Sequence, residues 1–475
     1  MPLLPVLGLW LATSAARSGQ PAPAAPDSFA VVGATVITMA GDSVLRDATV
    51  IVANGRITAV GPRRRTPVAR SIRVIDGRGK FLLPGLVDMH AHLFSDADAP
   101  DSVAPAELGA MAAMGITATR LMMGTPEQLT LRREVRAGRV LGPDLWLASP
   151  EFAGRAYGEF HGKAVPDPAS ARAAVREMAA AGFDFIKITL FVGPEAFAAL
   201  ADEARLAGIR LVGHVDPSVG VATALAAGQH VEHLDNYLES VLADSAPMKV
   251  SVSDRGVYRK ENWRSLDYVD EAKIDRIAGL TARSGTYTTP TLTIFKHAFG
   301  LGIPEAELRA RPDWNLYPPA LRTMWLTAMN RYWADRATDA HRHRWVQVRN
   351  RLVKAIADSG GRIMAGSDAP EFLHAYGWTL HRELESLVAA GLSTRQALAA
   401  ATTTPAAFFG VAGDRGSITP GKRADLLLLA ADPLADIRHT TRIAGVAVAG
   451  RWLDPAARQV LLDRATRLVG GGDQR

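Results

Sequence analysis

Between residues 81 and 410, eight short apolar runs alternate with Ala-, Arg- and Glu-rich segments, and this constrains the chain more than any other feature. The runs are FLLPGLVDMHAH, ITATRLMM, DLWLASP, FDFIKITL, IRLVGHV, HVEHL, YTTPTLTI and RIMAGSDA. Most are separated by helical segments, among them 169–181, 195–207, 219–228, 271–283 and 350–359. Strand and crossover helix in regular succession give a parallel sheet, and eight such units predict an α/β fold of the (β/α)8 TIM-barrel type. A doubly wound sheet is the competing fold, but no GxGxxG follows the first strand to support it.

The two ends of the chain have a different texture. From Phe29 to Ile75 apolar residues alternate with period two between Gly, Asp and Asn–Gly turns, and the pattern returns at 424–453. Neither piece has enough strands to stand alone, so both ends are expected to form one small β-sandwich with the barrel inserted. The expected divisions are 29–80 and 411–460 for the sandwich, 81–410 for the barrel, and 461–475 as a tail. The lead, 1–28, opens with LLPVLGLWLA and small residues after it, and reads as a signal peptide cleaved after Ala16. A periplasmic or secreted location follows. No later stretch has the uninterrupted apolar length of a membrane span. The net charge of +6 comes without a basic block or stripe, so nothing points to nucleic acid.

Polar residues at the strand ends carry the chemistry. His90 and His92 are two apart at the end of the first strand and so share a face. His214 ends the fifth strand, His233 the sixth and Asp368 the eighth, while Lys187 lies inside the apolar run FDFIKITL. Taken singly, a strand histidine is commonly a hydrogen-bonded core residue and an Asp after Gly–Ser a cap. A buried lysine is harder to dismiss, because an unpaired ammonium there is costly. Together, at one end of one barrel, the six residues predict a shared metal site. The chain has no cysteine, so thiolate ligands, iron–sulfur clusters and disulfides are excluded.

VDMHAH, Lys187, GHV at 213–215, VEHL at 231–234, MAGSDAP at 364–370 and the tail GSITPGKRADLLLLAADPLADI at 416–437 resemble the metal-dependent amidohydrolase superfamily. The likeness runs in order through 29–455 and is greatest to the imidazolonepropionase-related branch, which includes Xaa-Pro dipeptidases and ochratoxin-hydrolysing amidohydrolases. The resemblance implies two divalent ions, usually zinc, with manganese or cobalt as alternatives. His90, His92 and Asp368 would hold the more buried ion, and His214 and His233 the other. Lys187, carboxylated by carbon dioxide, would bridge them together with a hydroxide. It implies also that Asp368 takes the proton of the attacking hydroxide and passes it to the leaving nitrogen. Imidazolonepropionase itself is mononuclear and lacks the bridging lysine, so Lys187 argues for the peptidase-like group. A mononuclear site with Lys187 salt-bridged is the competing arrangement.

Specificity is expected from the loops. Arg155, Tyr157 and His161 follow the third strand, and Tyr237 lies four residues beyond His233. In the related peptidases such loops anchor a substrate carboxylate, which suits a guanidinium. The expected substrate is a small carboxylate-bearing amide: Xaa-Pro, another dipeptide or an N-acyl amino acid. Lactones, cyclic amides and phosphotriesters are the alternative for the same site. The aromatic set Trp314, Tyr317, Trp325, Trp333 and Trp345 either lines an acyl pocket or serves packing or a homo-oligomer interface. His341 and His343 point apart on a helix and are not expected to pair on a metal. His381 and Glu383 are expected to support the site rather than act in it.

Overall fold

The computed structural model describes residues 27–93, 103–156, 162–247, 263–334 and 339–469. Its central strands are β1 (Leu86–Ala91), β2 (Ile116–Leu121), β3 (Asp144–Leu147), β4 (Phe185–Ile188), β5 (Arg210–Gly213), β6 (His230–Glu232), β7 (Tyr287–Thr289) and β8 (Arg362–Ile363). β1 to β3 form one parallel ladder and β4 to β8 belong to another. Between the two, Ala148 bridges Phe185, and Ser149 N donates to Phe185 O at 2.8 Å. On the other side Ala91 bridges Ala369, and Met89 N donates to Ala365 O at 2.9 Å. The result is a TIM-barrel-like α/β fold.

Local sequence explains the helices. Pro168–Ala181 begins at a capping box between Asp167 and Ser170 and ends at Gly182 with φ 92°. Pro194–Ala207 starts on proline and stops at Gly208 with φ 67°. Two segments depart from the sequence reading. The run YTTPTLTI is a strand only to Thr289, and Leu292–Ile294 is already helical, because Pro290 removes a ladder donor. The helix expected at 350–359 begins much earlier, as Asp339–Asp358.

A second sheet draws on both ends of the chain. Its order is Arg451–Leu453, Ile443–Val448, Leu426–Leu429, Phe81–Pro84, Phe29–Ile37, Val44–Ala53 and Arg56–Pro62, with Arg73–Asp76 also on Phe29–Ile37. Phe81–Pro84, read from sequence as part of the first barrel strand, therefore pairs here, and Gly85 separates it from β1. In the run LLLL, Leu426 and Leu428 pack into this sheet's own core with Phe29, Val36 and Trp452. Leu427 and Leu429 face the main core instead. Both faces are covered, which is why the strand is apolar throughout. Helix Pro455–Leu468 follows and packs on helix Ala104–Ala113. No described helix is long and apolar enough to cross a membrane.

Candidate metal centre

Inside the barrel, Phe185, Val212 and Met364 pack with Phe408 and Phe409. Period two then sets Lys187 beyond Phe185 on the same face of β4, while Ile186 and Ile188 turn to the outer core. His90, His92, Lys187, His233 and Asp368 are all buried, and Lys187 is only 1% exposed. His92 Nε2 lies 3.1 Å from Asp368 Oδ1, and His90 Nε2 lies 3.3 Å from the same oxygen. The His90 and His233 rings are 4.5 Å apart, and those of His214 and His233 are 4.8 Å apart. Lys187 joins the group electrostatically: its ammonium acts on His90, His92, His233 and Glu232. The structure thus brings together all six residues expected to ligate metal.

Two backbone departures make this possible. Strict alternation would put Glu232 and His233 on opposite faces of β6. His233 has φ 59°, which turns the chain so that both side chains reach His90. Asp368, at φ 55°, sits in the same left-handed region. Such conformations in residues with a Cβ cost free energy and gather at working sites.

Three of the four histidines are oriented from behind. His90 Nδ1 is 2.8 Å from Glu232 Oε2, His214 Nδ1 is 2.6 Å from Asp235 Oδ2, and His233 Nδ1 is 2.8 Å from Thr291 Oγ1. Glu232 in turn accepts from Arg120 at 2.6 Å, and Arg120 donates to Met89 O at 2.6 Å. Asp88 accepts from the Ser367 hydroxyl at 2.6 Å and from the Ser367 and His90 amides. Sequence reasoning missed Glu232, Arg120, Asp235, Asp88 and Thr291. A period-two count that allowed for the ring of histidines would have found Asp88 and His230–Glu232, but not Arg120, which comes from β2.

Burial, with the charges of Lys187, His233 and His92, holds His90 well below its usual range. Burial, His214 and Lys187 do the same to His233. Burial also opposes protonation of His92, but its hydrogen bond and charge interaction with Asp368 prevail and raise it. Burial lifts Glu232, against the pull of Arg120 and Lys187, and lifts Asp88 to about 6 against its hydrogen bonds. The donor set fits a divalent cation. His90 Nε2 and His92 Nδ1 are buried without a hydrogen-bond partner, and ligand atoms of His90, His233 and Asp368 lie within 4.8 Å of one another. Imidazole nitrogens facing a carboxylate in a dry site are what such an ion requires.

The expected substrate residues are distributed differently. Arg155 is exposed, its guanidinium 4.0 Å from the ring centre of Phe191 just beyond β4. Tyr157 and His161 lie outside the described residues. Tyr237 was expected at the cavity, but it is fully buried and its hydroxyl is 2.9 Å from Thr281 of helix Glu271–Ser284. Packing accounts for its position. Of the aromatic set, Tyr317 and Trp345 are buried and Trp325 packs on Phe372 at 4.4 Å. The Trp333 side chain lies outside the described residues. His341 turns to Asp267 at 3.4 Å.

The profile of the Amidohydrolase family matches residues 81–453. Among curated relatives, an imidazolonepropionase of Idiomarina loihiensis is 43% identical over 60 residues, which is 13% of this chain and only 15% of that protein. Among solved structures, one named for a prolidase from Bifidobacterium longum is 27% identical, with TM-score 0.63, covering 93% of this chain and all of the other. The bottromycin amidohydrolase AH superposes with TM-score 0.72 at 24% identity, over 93% of this chain and 91% of its own. A. niger ochratoxinase shares the fold at 18% identity and TM-score 0.63, over 91% of this chain and 96% of its own. By the extent of the profile match, the chain belongs to the Amidohydrolase family.

Proposed function

We propose that the protein is a binuclear metal-dependent amidohydrolase that cleaves the amide bond of a small carboxylate-bearing substrate, Xaa-Pro, another dipeptide or an N-acyl amino acid. One observation carries this reading. Lys187 is buried beside His90, His92 and His233, where Glu232 is paired with Arg120 and Asp368 with His92. A lysine so placed suits carboxylation, which turns a buried cation into an anionic oxygen ligand. His90, His92 and Asp368 would hold one divalent ion, zinc above all, and His214 and His233 the other, with Lys187 shared. Bound ions would supply an acidified water and a polarised carbonyl oxygen. The chain's own part is to orient and to move a proton: Asp368, in contact with His90 and His92, would accept one and return it to the leaving nitrogen.

The loop after β3 is proposed to read the substrate carboxylate through Arg155, with Tyr157 and His161. Its support is that Arg155 stands over Phe191 at the same strand ends as Lys187. The finer architecture is read as a (β/α)8 barrel inserted in a small β-sandwich. The leader supports export to the periplasm or medium, and a homo-oligomer is proposed, which light scattering would test. Metal analysis of the purified protein is expected to find close to two ions per chain. Lys187→Ala should lose at least one ion together with activity, with partial recovery in a short carboxylic acid. Retention of both ions and full turnover would sink the proposal. A hydrolysis panel of Xaa-Pro and other dipeptides, N-acyl amino acids and lactones identifies the bond.

A further inference from the structure

The turn after β7 is held by more restraints than a connection needs. Thr291 is β-branched, yet its φ is 43°, in the left-handed region that favours glycine. Its hydroxyl is the partner of His233 Nδ1 at 2.8 Å. The next two backbone amides, Leu292 N and Thr293 N, each donate to Glu383 at 2.8 Å. Glu383 is fully buried on helix Trp378–Ala389, which follows β8. From helix Asp339–Asp358, Arg349 donates to Pro290 O at 3.1 Å in the same turn. Its guanidinium lies 4.5 Å from the ring centre of Phe295, whose ring is 5.1 Å from that of His233.

We propose that Glu383 is a positioning residue of the metal centre, acting on His233 through the Thr291 turn, and that Arg349 ties helix Asp339–Asp358 to that turn. This rests on His233 being a metal ligand. His233 itself leaves the strand at φ 59°, so the ladder does not fix its ring. With Nε2 given to an ion, Nδ1–H donates to Thr291 Oγ1, and this bond sets both tautomer and ring direction. Thr291 can serve only if its strained backbone is kept where it is, and a buried carboxylate accepting two consecutive main-chain N–H groups does that. Glu383 is not among the expected ligands, and its effect passes through the turn it holds.

The test uses the full chain loaded with Zn2+ and titrated with a chelator, alongside cobalt(II)-substituted protein read by its visible absorption. Thr291→Val should weaken one of the two ions about 10–100-fold, and Thr291→Ser should restore most of that loss. Glu383→Gln should weaken the same ion and disturb the same cobalt band, as should Arg349→Met. The Thr291→Val, Glu383→Gln double variant should be no weaker than the worse single variant, because both lie on one path. A Glu383→Gln protein that melts lower but binds both ions within twofold of wild type would overturn the proposal, as would fully additive losses. Wild-type protein that takes up no metal would overturn the metal reading and the positioning claim with it. Metal uptake indifferent to these changes would overturn the positioning claim alone.

Discussion

Arg120, Glu232 and His90 form a chain of buried groups from β2 through β6 to β1. The histidines, the lysine and the aspartate of the centre were legible because each ends or interrupts an apolar run, where its residue type is conspicuous. Glu232 was hidden by its neighbour: beside a histidine at a strand end, it reads as the opposite face until the positive φ of His233 is known. Arg120 was hidden because β2 is otherwise an ordinary strand, and only the fold brings it across to β6. Tyr237 erred the other way, since nearness in sequence to His233 suggested a place in the cavity. Tyr237→Phe should cost about 0.5–1.5 kcal/mol of stability through its bond to Thr281. KM for any hydrolysed substrate should not change. A KM raised tenfold with unchanged melting temperature would return Tyr237 to the binding site.

The barrel strands were recognisable as elements by their apolar runs, but where they stopped was not. FLLPGLVDMHAH contains two strands in two different sheets, and only the pairing of Phe81–Pro84 with Leu426–Leu429 reveals the division at Gly85. β3 illustrates how an element is anchored at its start. Asp144 is 3% exposed and accepts from Arg136 Nε at 2.8 Å and from Arg415 Nη1 at 2.8 Å. Arg415 lies in the connection that leads from the barrel back to the terminal sheet. Although burial opposes it, the Arg415 and Arg423 charges hold the Asp144 carboxyl below its usual range. Asp144→Asn breaks a buried pair by removing one member, and it should cost about 3–5 kcal/mol in urea unfolding. A loss below about 1 kcal/mol would show that the contact joins the two parts without stabilising them.

For the molecule as a whole, three histidines outside the candidate metal centre predict how it fails in acid. Burial lowers His230 and His374 to about 3 and His381 to about 4. Their folded values lie below the unfolded one near 6.5, so the unfolded chain binds more protons between the two. The stability they contribute is complete above about pH 6.5 and is lost as pH falls toward their folded values. Each should remove about 1.4 kcal/mol per pH unit in that window. The urea midpoint should therefore fall steeply from pH 6.5 to 4.5, and His381→Gln should flatten the slope. A midpoint constant over that range would refute the assignment of these residues as buried and neutral.

The terminal sheet also bears on how the chain is made. Phe81–Pro84 lies between Phe29–Ile37 and Leu426–Leu429, so its second edge waits for a strand roughly 340 residues further along. At about 5–20 residues per second, that edge stays open for roughly 20–70 seconds of synthesis. Throughout that interval the apolar strands near the N-terminus have no lasting partner on that side, and a nascent chain stalled before residue 426 should be a ready client for chaperones and proteases.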